Sequence, residues 1–344
     1  ALEDGRDGPP SPVEEGELAL QQGFVELRAP LFGTDEVFLR GGRQELSLGS
    51  ERLVARREGP NIRRRFDGIH LGARGEGWDA SALGLFLTEN EDGVFNDDAN
   101  EDVALWGLYG TVQDLMGGGA SLDLYYLGFW DDEAEFVQGA GDETRHSIGA
   151  RVFGRSDRFD WNWEAIFQWG EFGDDDIIAW TVATDTGYRL EDVPLRPRLG
   201  LNANVASGDD DPDDGTLGTF NPLFPRGNYF SHLALLGPRN FVNVHPSLEI
   251  EVTEALRLGF DVNLYWRMET DDGIYAPNGE LLRDGATTSS RFVGTAYSAS
   301  IDWDVTERLF LGLVFTHVDP GGAVERTGSG DDIDFVELTA QLRF

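Results

Sequence analysis

The segment FDWNWEAIFQWG, residues 159–170, puts Trp161, Trp163, Ala165, Phe167 and Trp169 at alternate positions, with Asp160, Asn162, Glu164 and Gln168 between them. A two-residue period gives a β-strand one apolar and one polar face. The pattern recurs in LRLGFDVNLYWRMET (256–270), RPRLGLNANVA (196–206) and AYSASIDWDV (296–305), and again in the last residues, DFVELTAQLRF (334–344). There Val336, Leu338, Ala340 and Leu342 alternate up to a terminal Phe344, an exposed aromatic that is hard to account for in water. The runs reach about ten residues or more, the length of a tilted membrane strand rather than of an ordinary strand of five or six. About fifteen such runs are expected, with no helical stretch of comparable length.

The connections carry a second pattern. Reading backward from Phe344, long DPGGAVERTGSGDDID is followed by short TE, long ETDDGIYAPNGELLRDGATTSS by short TEA, and long SGDDDPDDGTLGTFNPLFPRGNYFSHLALLGPRNF by short LEDVPLRP. The acidic stretches GEFGDDD (170–176) and DDEAEFVQGAGDE (131–143) read as further connections on the long side, separated by short RSD. Sorting connections by side is the habit of outer-membrane barrels, which have short periplasmic turns and longer external loops. The sequence therefore predicts an all-β fold: a transmembrane antiparallel β-barrel over residues 17–344, preceded by a polar, loop-like leader at 1–16. Its apolar faces meet lipid and its polar faces line a wet interior. An odd strand number is unusual in single-chain barrels and implies further strands upstream.

Composition agrees and excludes alternatives. The 63 acidic residues outweigh 27 bases, all arginine, for a formal charge of -36, which argues against a nucleic-acid partner. There is no cysteine, and no stretch approaches the roughly 20 apolar residues of a membrane helix. No nucleophile elbow, zinc-helix motif or phosphate loop occurs, and the five histidines, His70, His146, His232, His245 and His317, have no metal spacing, so the chain does not read as an enzyme. No cofactor is expected, apart from calcium at the acidic external loops such as TENEDGVFNDDANED and GDDDPDDG, whose carboxylates suit hard cations without matching a known loop spacing.

Strand parity turns Arg145, Arg151, Arg198, Arg257, Arg267 and Arg343 inward, together with the acids Asp123, Glu164, Asp261 and Glu337. Two readings stay open: an internal ion-pair ladder, or a cationic lining that favours anions. One connection breaks the acidic rule. GSERLVARREGPNIRRRFDG carries Arg52, Arg56, Arg57, Arg63, Arg64 and Arg65, and such a loop is expected to fold into the lumen.

LRGGRQELSLGSERLVARREGPNIRRRFDG (39–68), SGDDDPDDGTLGTFNPLFPRGNYF (207–230), YWR (265–267) and DGIY (272–275), in that order, resemble the alginate-export porin family of Gram-negative outer membranes. The likeness runs from about Leu20 to Phe344, and GRQEL and FNPLFP are its most specific segments. It implies a monomeric, eighteen-stranded barrel with an arginine-lined constriction, so that about three strands would precede the fifteen read here. It also implies a lipid and lipopolysaccharide environment and an anionic polysaccharide or small anionic solute as cargo. By motif it implies Arg43, Arg52, Arg64, Arg65 and Arg267 as pore residues, to stand beside Arg145, Arg151, Arg198 and Arg257 from parity. The alternatives are a general uptake porin for small solutes and a plugged barrel serving as adhesin or scaffold.

Overall fold

Tryptophan, phenylalanine and leucine at alternate positions favour extended backbone, and the chain uses it almost throughout. The structure, a computed structural model, describes residues 18–57, 62–91, 93–115, 117–228 and 232–344; the leader at 1–16 lies outside them. The first ten strands are β1 (Gly23–Ala29), β2 (Glu36–Gln44), β3 (Phe66–Gly75), β4 (Trp78–Thr88), β5 (Ala99–Leu115), β6 (Ala120–Phe136), β7 (Gly139–Arg155), β8 (Phe159–Phe172), β9 (Asp175–Arg189) and β10 (Arg198–Ala206). A short β11 (Thr216–Leu217) precedes β12 (Phe241–Thr253) and β13 (Leu256–Trp266). A small hairpin, β14 (Ile274–Tyr275) and β15 (Leu281–Arg283), precedes β16 (Phe292–Asp304), β17 (Leu309–Pro320) and β18 (Ile333–Leu342), with one helical turn, α1 (Gly322–Glu325), between the last two.

Among the described residues, sixteen strands form one sheet. Fifteen of them follow a single path from β1 to β18, each antiparallel to the next, which is the expected strand number; the sixteenth, β11, pairs in parallel with β9.

The distribution of polarity is inverted relative to a water-soluble protein. Leu124 (57 % exposed), Ile148, Trp163, Phe167, Leu199, Phe260, Ile301, Phe315 and Leu338 (75 %) lie bare on the outside, while Gln168, Asn204, Asn243, Asn263 and Thr316 are buried on the inside. An inner ladder runs from Asn204 to Asn243 (2.8 Å), on to Asn263 (3.0 Å), and through His245 to Asp261 (2.8 Å). Only a solvent of hydrocarbon makes this arrangement stable, because it rewards apolar side chains outside and requires every backbone polar group to be paired within the wall. An arginine in place of Phe167 is therefore expected to cost about 2–4 kcal/mol if that position sits near mid-membrane. Urea unfolding from lipid vesicles would measure it; a change within error would mean that this face does not meet lipid.

Two stretches read as acidic connections are strand instead. The β6–β7 ladder continues to Phe136↔Gly139 and the β8–β9 ladder to Phe172↔Asp175, so 131–143 and 170–176 are mostly hairpin. Acidic residues broke the apolar alternation there, but the inward side chains Phe136, Glu143 and Phe172 are buried, the two aromatic rings meeting edge to face at 5.2 Å. Burial on the inner face sustains the ladder without any apolar outer face.

Candidate functional site

In its described residues, 45–57 and 62–65, the connection after β2 does not stand out in solvent. Its Leu53, Val54 and Ala55 are buried, and Val54 forms a parallel bridge with Phe224 of the long connection 207–240. The bridge is completed by Ala55 N–H to the Phe224 carbonyl (2.9 Å) and Phe224 N–H to the Leu53 carbonyl (2.8 Å). Both connections are pinned to the inner wall. Ser50 and Arg52 donate to Glu164 (2.6 and 2.9 Å), which also accepts from Tyr125 (2.7 Å). Tyr125 can lie there because Gly149 faces its ring: a Cβ on Gly149 would sit 2.1 Å from a ring carbon. On the other connection, Asn221 N–H reaches Gln168 (3.0 Å), the Asn221 amide reaches Glu143 (3.0 Å), and the Thr219 carbonyl accepts from Arg145 (3.2 Å).

Most of the candidate arginines sit in ion pairs of the wall. Arg43 meets Asp67 (2.9 Å), Arg52 meets Glu164 and Arg65 meets Asp97 (2.9 Å). Arg145 pairs with Glu143, Arg151 with Asp123 (2.6 Å), and Arg198 with Asp160 and with Glu249 (3.1 Å). Arg257, half exposed near the short-turn end, lies 3.7 Å from Asp304. Arg267 is 2 % exposed and donates to five carbonyls of the 267–291 connection: Thr270, Asp272, Gly285, Thr288 and Ser290 (2.6–3.1 Å). That geometry holds a loop together rather than presenting a charge to water.

Among the described residues, Arg64 differs from all of these except Arg267 in having only carbonyl partners, Ala55 (3.0 Å) and Phe224 among them, and its guanidinium lies over the Phe224 ring (5.2 Å). Together with Arg57, Arg65 and Arg239 it lines a cavity of about 540 Å³ at the junction of the two connections. Among the described residues, Arg57, Arg64 and Arg239 have no carboxylate within ion-pair distance. Burial, and after it the neighbouring Arg57, push the Arg64 guanidinium down to about 9; burial lowers Arg57 and Arg239 too. All three keep their charge at neutral pH. Asp131, Glu133, Glu135, Glu143 and Glu280 line the same cavity, so its walls carry both signs. The YWR and SERLV motifs drew attention to Arg267 and Arg52, whereas Arg239 was missed: it stands in a stretch of no alternation, and only the tertiary fold brings it to the cavity.

The acidic connection 207–240 is organised by its own carboxylates. Asp209 accepts from Gly218 N–H (2.6 Å) and Asp211 N–H (3.1 Å). Buried Asp272, from the 267–291 connection, accepts from Asp209 N–H (3.0 Å), Thr219 (2.6 Å) and Tyr275 (2.6 Å). Burial, partly offset by the Gly218 hydrogen bond and reinforced by Asp272, raises the Asp209 carboxyl to about 6; burial raises Asp272 as well. An acid raised in the folded state binds more protons folded than unfolded, so its contribution is most favourable below the ordinary value of 3.8 and is lost as pH rises through about 6. The junction of the two connections is thus expected to be tighter at pH 5 than at pH 8. Single-channel current noise should rise over that interval, and Asp209→Asn should flatten the dependence; equal noise at both pH values in the native channel would refute this.

Comparison with known proteins places this architecture. A family model described as alginate export matches residues 2–334. Among curated proteins, none matches the sequence. Similar solved structures include Pseudomonas aeruginosa OccK2 (OpdF) in complex with glucuronate, with TM-score 0.56 and 12 % identity over 90 % of this chain and 78 % of that one. Acinetobacter baumannii OccAB1 superposes with TM-score 0.56 at 12 % identity, covering 89 % and 73 % of the two chains. Pseudomonas aeruginosa OprD does so with TM-score 0.54 at 10 % identity, covering 89 % and 75 %. At such identities the likeness is one of fold.

Proposed function

The chain belongs to the alginate export family and is an outer-membrane β-barrel channel of Gram-negative bacteria, a transporter rather than an enzyme; from that premise we propose that it conducts anionic solutes, carboxylated sugars and their polymers foremost, by passive diffusion through an arginine-lined passage. The observation that carries this reading is the group Arg57, Arg64 and Arg239, held at the cavity with no carboxylate in ion-pair reach among the described residues. Fixed guanidinium groups in a narrow, partly dehydrated passage lower the energy of an anion and raise that of a cation. Their planar donors also match carboxylate oxygens two at a time. The wall arginines act one step removed, fixing the two in-folded connections through their own carboxylates. That OccK2 was crystallised with glucuronate, a carboxylated sugar, is in keeping with this class of solute in a barrel of the same fold. In this reading the channel works as a monomer, and no cofactor takes part.

One observation favours a second reading. Asp131, Glu133 and Glu135 line the same cavity as the arginines, and a passage with both signs across it also suits small zwitterionic or neutral solutes, as in a general uptake porin. Reversal potentials across a planar bilayer under a salt gradient, with liposome swelling in neutral sugars, separate the two. Anion preference with slow swelling supports the first. Cation preference, or rapid swelling without ion preference, would reject it, and absence of any conductance would point to a plugged barrel.

A further inference from the structure

Outside the cavity, one group of side chains has the composition and spacing of a metal site. His317 and Asp319 are two residues apart on β17 and so share a face. That face is the outer one, since Leu313 and Phe315 precede them on it and are exposed to lipid. Asp332 arrives from the connection ahead of β18, and a ligand atom from each of the three lies within 4.8 Å of the others. Asp334 on β18 stands opposite His317 in the strand register and is hydrogen-bonded to its Nδ1 (2.8 Å), while Nε2 lies 3.1 Å from Asp319 Oδ1. Among the described residues, no arginine forms an ion pair with any of these three aspartates.

We propose that His317, Asp319 and Asp332 bind a divalent transition-metal ion of the zinc type on the outer wall, at the long-connection end of β17. With Nδ1 donating to Asp334, Nε2 faces Asp319 Oδ1 at 3.1 Å across a hydrogen bond whose proton the metal ion would displace, freeing the Nε2 lone pair to ligate it. A carboxylate behind a ligating imidazole is the usual second partner of such sites, fixing the tautomer and strengthening the donor. One imidazole nitrogen and two carboxylate oxygens, with a fourth position left to water, fit four-coordinate zinc. Calcium and magnesium demand six or more oxygen ligands and gain little from a nitrogen. The cation would also relieve the mutual repulsion of three carboxylates crowded around one ring. The site is separate from the cavity and does not depend on the transport reading.

The test uses the detergent-solubilised protein, stripped with chelator and titrated with Co²⁺ as a spectroscopic stand-in for Zn²⁺. A single equivalent should bind with visible d–d absorption, be displaced by Zn²⁺, and resist excess Ca²⁺. His317→Gln and, independently, Asp332→Asn should abolish the absorption, with unchanged single-channel conductance showing that the barrel has folded. Asp334→Asn should retain the spectrum but weaken binding about 10- to 100-fold. No absorption on Co²⁺ addition, an unchanged spectrum in His317→Gln, or displacement by Ca²⁺ as effective as by Zn²⁺ would each overturn the assignment.

Discussion

Replacing Arg57 and Arg64 together with alanine is expected to lower the anion-to-cation permeability ratio about tenfold or more. A unit charge some ~8 Å from a passing ion contributes roughly 0.5–2 kcal/mol as the effective dielectric falls from bulk water toward a protein-like value. Two such charges, at about 1 kcal/mol each, therefore command at least a tenfold ratio. Neither is balanced by a described carboxylate in ion-pair reach, so their removal is not masked by a neighbour of opposite sign. Reversal potentials at low ionic strength are the measurement, because at about 1 M salt the screening length shrinks to about 3 Å and the contrast should fade. Arg257→Ala is the informative control. That residue is half exposed beside Asp304 near the short-turn end, and its loss should change the ratio less than about twofold, as for a screened surface pair. Equal effects from the two variants would assign selectivity to overall charge and remove the special standing of the cavity.

The second large effect is expected at Arg267, and it is mechanical. Arg267→Met leaves the carbonyls of Thr270, Asp272, Gly285, Thr288 and Ser290 without the donor that gathers them. A buried acceptor left unsatisfied costs about 1–3 kcal/mol, so even partial rehydration should loosen the 267–291 connection by about 3 kcal/mol. Local opening would then be about 100-fold more frequent, and limited proteolysis of folded protein in detergent should cut within this connection correspondingly faster. The barrel itself, held by its strand ladders, should keep its resistance to heat in detergent. Should the connection stay uncut while ion preference falls instead, Arg267 would have to be counted as a pore residue despite its burial.

The wall was legible in the sequence because lipid imposes a strict rule. Trp161, Trp163, Phe167 and Trp169 had to alternate with Glu164 and Gln168, and that alternation could be read without coordinates. The hairpin tips were not legible. Residues 131–143 stand where neither lipid nor a simple core dictates the pattern, and their order comes from Phe136, Phe172 and Arg239 meeting across the fold. The same reasoning explains the candidate arginines. Parity located Arg145 and Arg151 on the inner face, but it carries no information on which carboxylate waits on the next strand. Arg64 and Arg267 look alike in sequence, each an arginine within two residues of an aromatic one, yet one lines a cavity and the other is enclosed by its own loop. That difference arises from contacts between the 45–65, 207–240 and 267–291 connections, which no local pattern encodes.

The strands are of unequal length: β5, β6 and β7 have 17 residues each, whereas β2 and β10 have nine. At about 3.3 Å per residue, a surplus of this size raises one flank by about 26 Å before tilt is taken into account. The mouth is accordingly a lopsided parapet rather than a level ring. A polymer of the proposed kind crossing it would bend over the low sill and brace against the tall side, so passage would have a preferred compass direction, and neighbouring channels could be shielded from or turned toward one another by rotation alone.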